Sequence, residues 1–293
     1  MKSLIDLLRI KSWIKNGFLF LPLVFAMKLL SFDLFSKTIL AFISFSFACS
    51  FIYILNDVFD AEKDKIHPRK KNRPIPSGVV SKSMALGIAI LLLGISIGIF
   101  VFFNLNFQFL CITLLYVVLN VAYTLILKQI NLIELFVVAV NFVLRVLAGC
   151  FVIDVLPSHW ILVVTFFLSL MLILVKRKSE LLILKENAQE HRAALKNYSL
   201  EFLDKLIYIS ATITVTSYIL YSIDPLVIKS LHTDKLMFTS LFVIIGVFRF
   251  IQISEGKEYD GEGDPTTILY KDRFTQIIIG FWLASIYLLL YVG

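Results

Sequence analysis

Residues 37–64 read KTILAFISFSFACSFIYILNDVFDAEKD. No charge interrupts the stretch from Thr38 to Leu55, and about 20 mostly apolar residues are what a helix needs to cross roughly 30 Å of hydrocarbon. The run then meets Asn56, Asp57, Asp60, Glu62 and Asp64 within nine positions. A membrane-crossing helix that carries on into an acidic end, at the headgroup region or in a cavity, is the reading that fits both halves.

The rest of the chain repeats the first half of that pattern. With 59% hydrophobic and 17% charged residues, it is too apolar for a soluble domain, whose surface needs more charge. Apolar stretches separated by charge clusters predict nine spans, at about 17–31, 37–56, 82–103, 107–126, 132–153, 159–176, 201–222, 235–253 and 273–292. The expected fold is an all-α membrane bundle, with 1–293 as a single integral membrane domain. Residues 1–16 form a basic amphipathic stretch in which Leu4, Leu7, Leu8 and Trp13 suit an interfacial position. No small-residue cleavage site follows the first apolar segment, so that segment is read as a retained span.

Lys and Arg set the orientation, because cytoplasmic loops keep positive charge. With the N-terminus in the cytoplasm, that side holds Lys2, Arg9, Lys11 and Lys15, the cluster from Lys63 to Lys82, Lys128, the cluster from Lys176 to Lys205, and Lys257, Lys271 and Arg273. The other side keeps Lys28, Lys37, Lys229 and Lys235. The same assignment puts three long polar segments, 57–81, 177–200 and 254–272, on the cytoplasmic face of the inner membrane. Long loops gathered on one face are where a site is expected. The net charge of +7 then reflects cytoplasmic loops and anionic lipid, and nucleic acid is not an expected partner. Cys49, Cys111 and Cys150 lie in three different spans without metal-ligand spacing and read as inert thiols.

At helical spacing Asp57, Asp60 and Asp64 fall at i, i+3 and i+7 on one face, with Asn56 adjoining Asp60. Carboxylates held so closely repel one another, and a divalent cation offsets that repulsion. Mg²⁺ takes one or two protein carboxylates and completes its shell with water and phosphate oxygens. The bland reading is a solvated acidic helix end paired with Lys63 and Lys65. The basic run from His67 to Gly78 follows, restrained by Pro68, Pro74 and Pro76, and its Lys70 and Arg73 are candidate phosphate contacts; alone, it would read as an anchor on anionic lipid.

Asn56-Asp57-x-x-Asp60-x-x-x-Asp64 resembles the first Asp-rich motif of the UbiA superfamily of intramembrane prenyltransferases. The usual second Asp-rich motif is replaced here by Lys176-Arg177-Lys178-Ser179-Glu180. With Arg192 and Tyr198, this resembles the branch of polyprenyl-phosphate phosphoribosyltransferases. Similar pieces are Trp13 to Asn16, His67-Pro68 with Arg73-Pro74-Ile75, Tyr123-Thr124, Phe142 to Arg145 with Ala148-Gly149, and Asp272-Arg273.

The resemblance implies transfer of 5-phosphoribose from phosphoribosyl pyrophosphate to a polyprenyl phosphate, with Mg²⁺ and release of pyrophosphate. Asp57, Asp60 and Asp64 would be the metal and pyrophosphate ligands, supported by Asn56. Lys15, Lys70, Arg73, Lys128, Arg145, Lys176, Arg177, Glu180, Arg192 and Tyr198 are the candidates around the phosphates. Glu180 stands at i+4 from Lys176 and i+3 from Arg177, so it can orient both; without the family, this cluster reads as a stop-transfer signal. Arg145 lies inside an apolar span, where a charge marks a site or an internal ion pair, and Glu134 or another acid would serve in the second case. Lys15 and Lys128 could instead snorkel to the interface. The acceptor phosphate is already ionised near neutral pH, so no side chain has to remove its proton, in keeping with only four histidines.

Two other functions compete. A prenyl transfer from its diphosphate to an aromatic or other acceptor is disfavoured by the basic second motif. A transporter of phosphorylated solutes or lipids is disfavoured by the one-sided charge. A homo-oligomer is allowed by the sequence.

Overall fold

The structure, a computed structural model, describes residues 2–66, 70–184, 198–255 and 271–292, and every regular element among them is helical. In chain order these are α1 (Lys2–Leu8), a 3₁₀ segment (Ile10–Phe20), α2 (Leu21–Phe25), α3 (Phe32–Ile66), α4 (Lys82–Phe102), α5 (Phe107–Leu125), α6 (Ile133–Val152) and α7 (His159–Leu184). After them come α8 (Leu200–Ile223), α9 (Pro225–Leu231), a 3₁₀ turn (Lys235–Thr239) leading into α10 (Ser240–Glu255), and α11 (Arg273–Tyr287), which ends in a π turn. Among the described residues, eight helical stretches are long and apolar enough to cross a membrane, and they coincide with the second to ninth expected spans. The chain is a multi-pass membrane protein.

The first expected span, 17–31, is built differently. Its start belongs to the 11-residue 3₁₀ segment, which passes directly into the five-residue α2 with Pro22 in the first turn. At about 2.0 Å per 3₁₀ residue and 1.5 Å per α residue, the pair reaches about 30 Å. Side-chain anchors hold this thin form: the Asn16 amide donates to Ser46 Oγ at 2.9 Å and Trp13 Nε1 to Ser50 Oγ at 3.0 Å. Leu19 lies so close to α6 that a β-carbon on Gly149 would stand 2.1 Å from its carbonyl oxygen, so only glycine fits there.

Two further boundaries move. Residues 57–66, counted in the polar segment 57–81 but read as a continuation of the helix through the aspartates, are the last turns of the 35-residue α3, whose length of about 52 Å exceeds the hydrocarbon core by several turns. Residues 177–184 likewise extend α7. Residues 185–197 of that loop and most of 254–272 lie outside the described residues.

The described chain divides into two compact units. The first comprises Met1–Lys128 and Leu144–Leu156. In it α4 turns Ala85, Ala89, Leu92 and Ser96 toward α3, small side chains that let two helices approach closely, and Ser44 Oγ donates to the Ser96 carbonyl at 2.9 Å. Ile75 and Val80 of the following loop join Leu7, Ile54 and Ala61 in one apolar core, so the loop is packed onto α3. Gly78 at φ 80° makes the left-handed turn that closes it. The buried face of α5 is mostly polar, with Thr113, Tyr116, Asn120 and Thr124 beside Phe109, the inverse of a soluble helix and ordinary where lipid is the solvent.

The second unit comprises Gln129–Val143 and Pro157–Gly293. Its core joins Leu135 and Ala139 of α6, Met171 and Leu174 of α7, Leu203, Ile207 and Ala211 of α8, and Val247 and Phe250 of α10. Asp272 caps α11 through the Thr275 amide at 2.8 Å and accepts from Nε and Nη2 of Arg249. Its carboxyl is held well below the usual range, first by the Arg249 hydrogen bond and next by those from Thr275. Cys49 and Cys150 are buried, whereas Cys111 is exposed on α5.

Candidate functional site

Helix geometry decides how the three aspartates stand. At about 100° per residue, positions i and i+7 differ by about 20° around the axis, while i+3 lies about 60° away. Asp57 and Asp64 therefore line up, and one atom joins them: Arg73 Nη1 donates to Asp57 Oδ1 at 2.9 Å and to Asp64 Oδ2 at 2.7 Å. Asp60 turns aside to Lys128, whose Nζ donates to its Oδ1 at 2.6 Å. Lys70 Nζ stands 3.9 Å from the other Asp64 oxygen. Asn56 accepts from Thr124 Oγ1 at 3.4 Å, which ties α5 to the start of the cluster.

The carboxylates are the buried partners here. The Asp57 and Asp64 side chains are 2% and 6% exposed, against 29% for Arg73 and 39% for Lys70. The acidic face is thus fixed in the scaffold and the cations lie over it. Lys63 and Lys65, the partners in the bland reading, are not its neighbours; Lys65 pairs with Glu62 at 2.8 Å on the exposed side of the helix.

Arg9 completes the group, and sequence reasoning missed it. Its Nη2 donates to the same Asp57 Oδ1 that Arg73 uses, and its guanidinium lies 5.2 Å above the Tyr53 ring. The residue is left-handed, at φ 51°, an uncommon state for a side-chain-bearing residue that is often found where function constrains the backbone. The only sequence signal was its place just before Trp13 to Asn16. Burial and the adjacent Arg9 charge lower the Arg73 pKa, while Asp57 and Asp64 oppose that shift.

Arg145 sits deeper in the same unit. Its Nε donates to Asn16 Oδ1 at 2.8 Å and its Nη2 to the Tyr116 hydroxyl at 3.1 Å, with the Phe45 and Tyr116 rings at 5.7 and 5.0 Å. Glu134, the acid named for it, is taken by another arginine. Arg145 clamps the 3₁₀ segment, α5 and α6, near the Cys49 level of α3, about 12 Å along the axis from Asp57. Lys15 is half-buried on the 3₁₀ segment next to Asn16.

The second unit holds the basic motif. Arg177 is 2% exposed and its nitrogens are committed to carboxylates: Nε and Nη2 donate to Glu134 at 2.8 and 2.9 Å, and Nη1 to Glu180 at 2.6 Å. The i, i+3 link to Glu180 was expected; the bidentate link to Glu134 was not. Lys176 is half-buried one residue earlier. Tyr198 accepts the Leu132 amide at 2.9 Å, holding the approach to α8 against the entry of α6. Asn131 Oδ1 and Ser179 Oγ are buried without a hydrogen-bond partner, an arrangement that costs free energy and often signals a polar ligand. Arg192, with His67 and Pro68, lies outside the described residues.

Among the described residues, no three Asp, Glu, His or Cys side chains form a ready metal-ligand set. Asp57 Oδ1 and Asp64 Oδ2 nevertheless meet at one point, the place of Arg73 Nη1. Two hard oxygen donors around one cationic point, open to further ligands, fit the Mg²⁺ preference for one or two carboxylates plus phosphate.

A profile of the UbiA prenyltransferase family matches residues 18–274. The chain belongs to that family. It is 30% identical to the decaprenyl-phosphate phosphoribosyltransferase of Mycolicibacterium smegmatis, over 97% of this chain and 91% of that protein. To the Corynebacterium glutamicum protein of the same name it is 28% identical, over 99% and 87%. The fold is also similar to that of a UbiA homolog from Archaeoglobus fulgidus bound to GPP and Mg²⁺, at a TM-score of 0.71 and 19% identity, covering 99% and 100% of the two chains. The digeranylgeranylglyceryl phosphate synthase structure aligns at 0.63 and 20% identity over the whole of both chains. These structures share the fold; the two phosphoribosyltransferases share far more of the sequence.

Proposed function

We propose that this protein transfers 5-phosphoribose from phosphoribosyl pyrophosphate to a polyprenyl phosphate and releases pyrophosphate, with Mg²⁺ as the cofactor. The observation that carries the reading is the meeting of two buried aspartate oxygens at one point, overlaid by Arg9, Lys70 and Arg73. Such a layer suits a metal-bound diphosphate, and the names of the two bacterial relatives supply the phosphoribose and the lipid phosphate.

In the reaction a phosphate oxygen of the lipid forms a bond to C1 of the ribose as the bond from C1 to the diphosphate oxygen breaks, and the electron pair leaves with pyrophosphate. No proton moves, which suits a cluster of carboxylates and permanent cations. Asp57 and Asp64 would hold the metal, with Asp60 and Asn56 in support, and the metal would neutralise charge growing on the leaving diphosphate. Arg73 and Lys70 bind and orient diphosphate oxygens, and Lys128 holds Asp60 in place. Arg145 positions the 3₁₀ segment. Lys176 contacts phosphate, and Arg177, held by Glu134 and Glu180, fixes the α7 end from which Lys176 projects. Lys15, Arg192 and Tyr198 complete the candidates around the substrates.

The charge bias supports a nine-span domain in the inner membrane with a cytoplasmic N-terminus and loops. The test is donor choice. Purified protein with labelled phosphoribosyl pyrophosphate, polyprenyl phosphate and Mg²⁺ is expected to place label in the lipid phase. Transfer only from a prenyl diphosphate to an aromatic acceptor would move the assignment to an ordinary prenyltransferase.

A further inference from the structure

The point between Asp57 and Asp64 is claimed twice. Arg73 Nη1 contacts both carboxylates at 2.9 and 2.7 Å, and Arg9 Nη2 shares Asp57 Oδ1 with it. A divalent ion bound by the same two oxygens needs that position, so ion and guanidiniums are competitors. Neither arginine can simply leave. Arg73 is tied through its amide to the Lys70 carbonyl at 3.0 Å, and the loop beyond it is packed through Ile75 and Val80. The backbone at Arg9 is pinned by Ser12 N to Arg9 O at 2.7 Å and, one residue earlier, by Ser50 Oγ to Leu8 O at 2.8 Å. Displaced side chains would therefore stay within reach of the new positive charge, without the carboxylate that had neutralised them.

A diphosphate removes this conflict, because its oxygens bind the metal and accept from both guanidiniums at once. Resting on the proposed metal-diphosphate site, we infer that Arg9 and Arg73 are exchangeable counter-cations, which pass from the aspartates to the diphosphate and make metal and diphosphate bind as a mutually dependent pair. Arg9 thereby joins the substrate-positioning residues. Its seat over the Tyr53 ring, 5.2 Å from the centroid, leaves the guanidinium flanked by a face that tolerates movement of the cation better than a second fixed carboxylate would.

The test is equilibrium binding of Mn²⁺, read by electron paramagnetic resonance in detergent with and without inorganic pyrophosphate. Retention of labelled pyrophosphate on the protein separates bound complex from complex in solution. For the unaltered protein, pyrophosphate is expected to tighten Mn²⁺ by about tenfold or more, and Mn²⁺ to tighten pyrophosphate by the same factor. Arg73→Gln and Arg9→Gln are expected to strengthen Mn²⁺ binding alone several-fold and to reduce the coupling. Arg9→Lys, which keeps the charge, should retain most of it. Mn²⁺ affinity indifferent to pyrophosphate, glutamine variants with unchanged coupling, or no Mn²⁺ binding under any condition would each overturn the inference. Intact coupling without phosphoribose transfer would instead leave it standing and refute only the substrate assignment.

Discussion

The carboxylate-arginine clusters around Asp57 and around Arg177, one in each unit, differ in which partner is exposed. Around Asp57 and Asp64 the acids are buried while Arg73 and Lys70 are about a third exposed. Around Arg177 both sides are buried, with Glu134 at 0% and the guanidinium bonded at every nitrogen. The first cluster has partly exposed cations, the ones proposed to exchange for a ligand. The second is closed, and its function is to hold α6 to α7. Charge content alone does not separate a site from a brace; the exposure of the weaker-held partner does.

The largest effect should come from breaking the closed cluster on one side. Arg177→Leu takes the guanidinium away from buried Glu134, and unfolding in detergent is expected to show a loss of about 3–5 kcal/mol, the usual cost of breaking a buried ion pair on one side. A loss under about 1 kcal/mol would mean that the pair is solvated.

In the open cluster, Asp60→Asn should leave the melting temperature near that of the unaltered protein while slowing lipid labelling by about 100-fold, equivalent to about 2.7 kcal/mol of barrier. A variant that melts early but turns over normally would make the open cluster the brace. Tyr198→Phe removes one hydrogen bond to the Leu132 amide and is expected to cost about 1 kcal/mol, visible as a small shift in unfolding midpoint.

The smallest effect concerns Asp272, a half-buried relative of both clusters. Its pKa is depressed in the fold, so its contribution is present above the unfolded carboxylate pKa and lost as pH falls toward the folded value. Asp272→Asn should therefore lower stability at pH 7 by less than about 1 kcal/mol, and the difference from the unaltered protein should shrink below pH 4. A constant difference across that range would assign the effect to capping alone.

The spans and the alignment of the first cluster were legible in the sequence, whereas the closure of the second was not, since Arg177 read as a phosphate contact. Uncharged runs marked the spans because lipid leaves few alternatives to a helix, and the i, i+7 spacing of Asp57 and Asp64 fixed their alignment without tertiary information. The 3₁₀ form of residues 10–20 was not legible, since it depends on Asn16 and Trp13 finding Ser46 and Ser50 on another helix. Arg9 was hidden for the same reason: 48 positions separate it from Asp57, and only packing of the N-terminal segment brings them together. Glu134 was read only as one possible acid for Arg145 in the internal-pair alternative to a site role, because two charges within one apolar span look like partners; its bond to Arg177 links two helices 43 positions apart. In the structure Arg145 is held instead by an amide, a phenol and two rings.

The direct test of the open and closed assignments is label transfer from phosphoribosyl pyrophosphate to polyprenyl phosphate, measured side by side for Asp57→Asn and for a Glu134→Gln/Arg177→Met double variant at equal folded fraction. Removing both members of a buried pair is tolerated far better than removing one. The account predicts transfer lost by about 100-fold or more in Asp57→Asn and kept within about tenfold in the double variant. Near-normal transfer by Asp57→Asn, or a well-folded double variant without transfer, would contradict it.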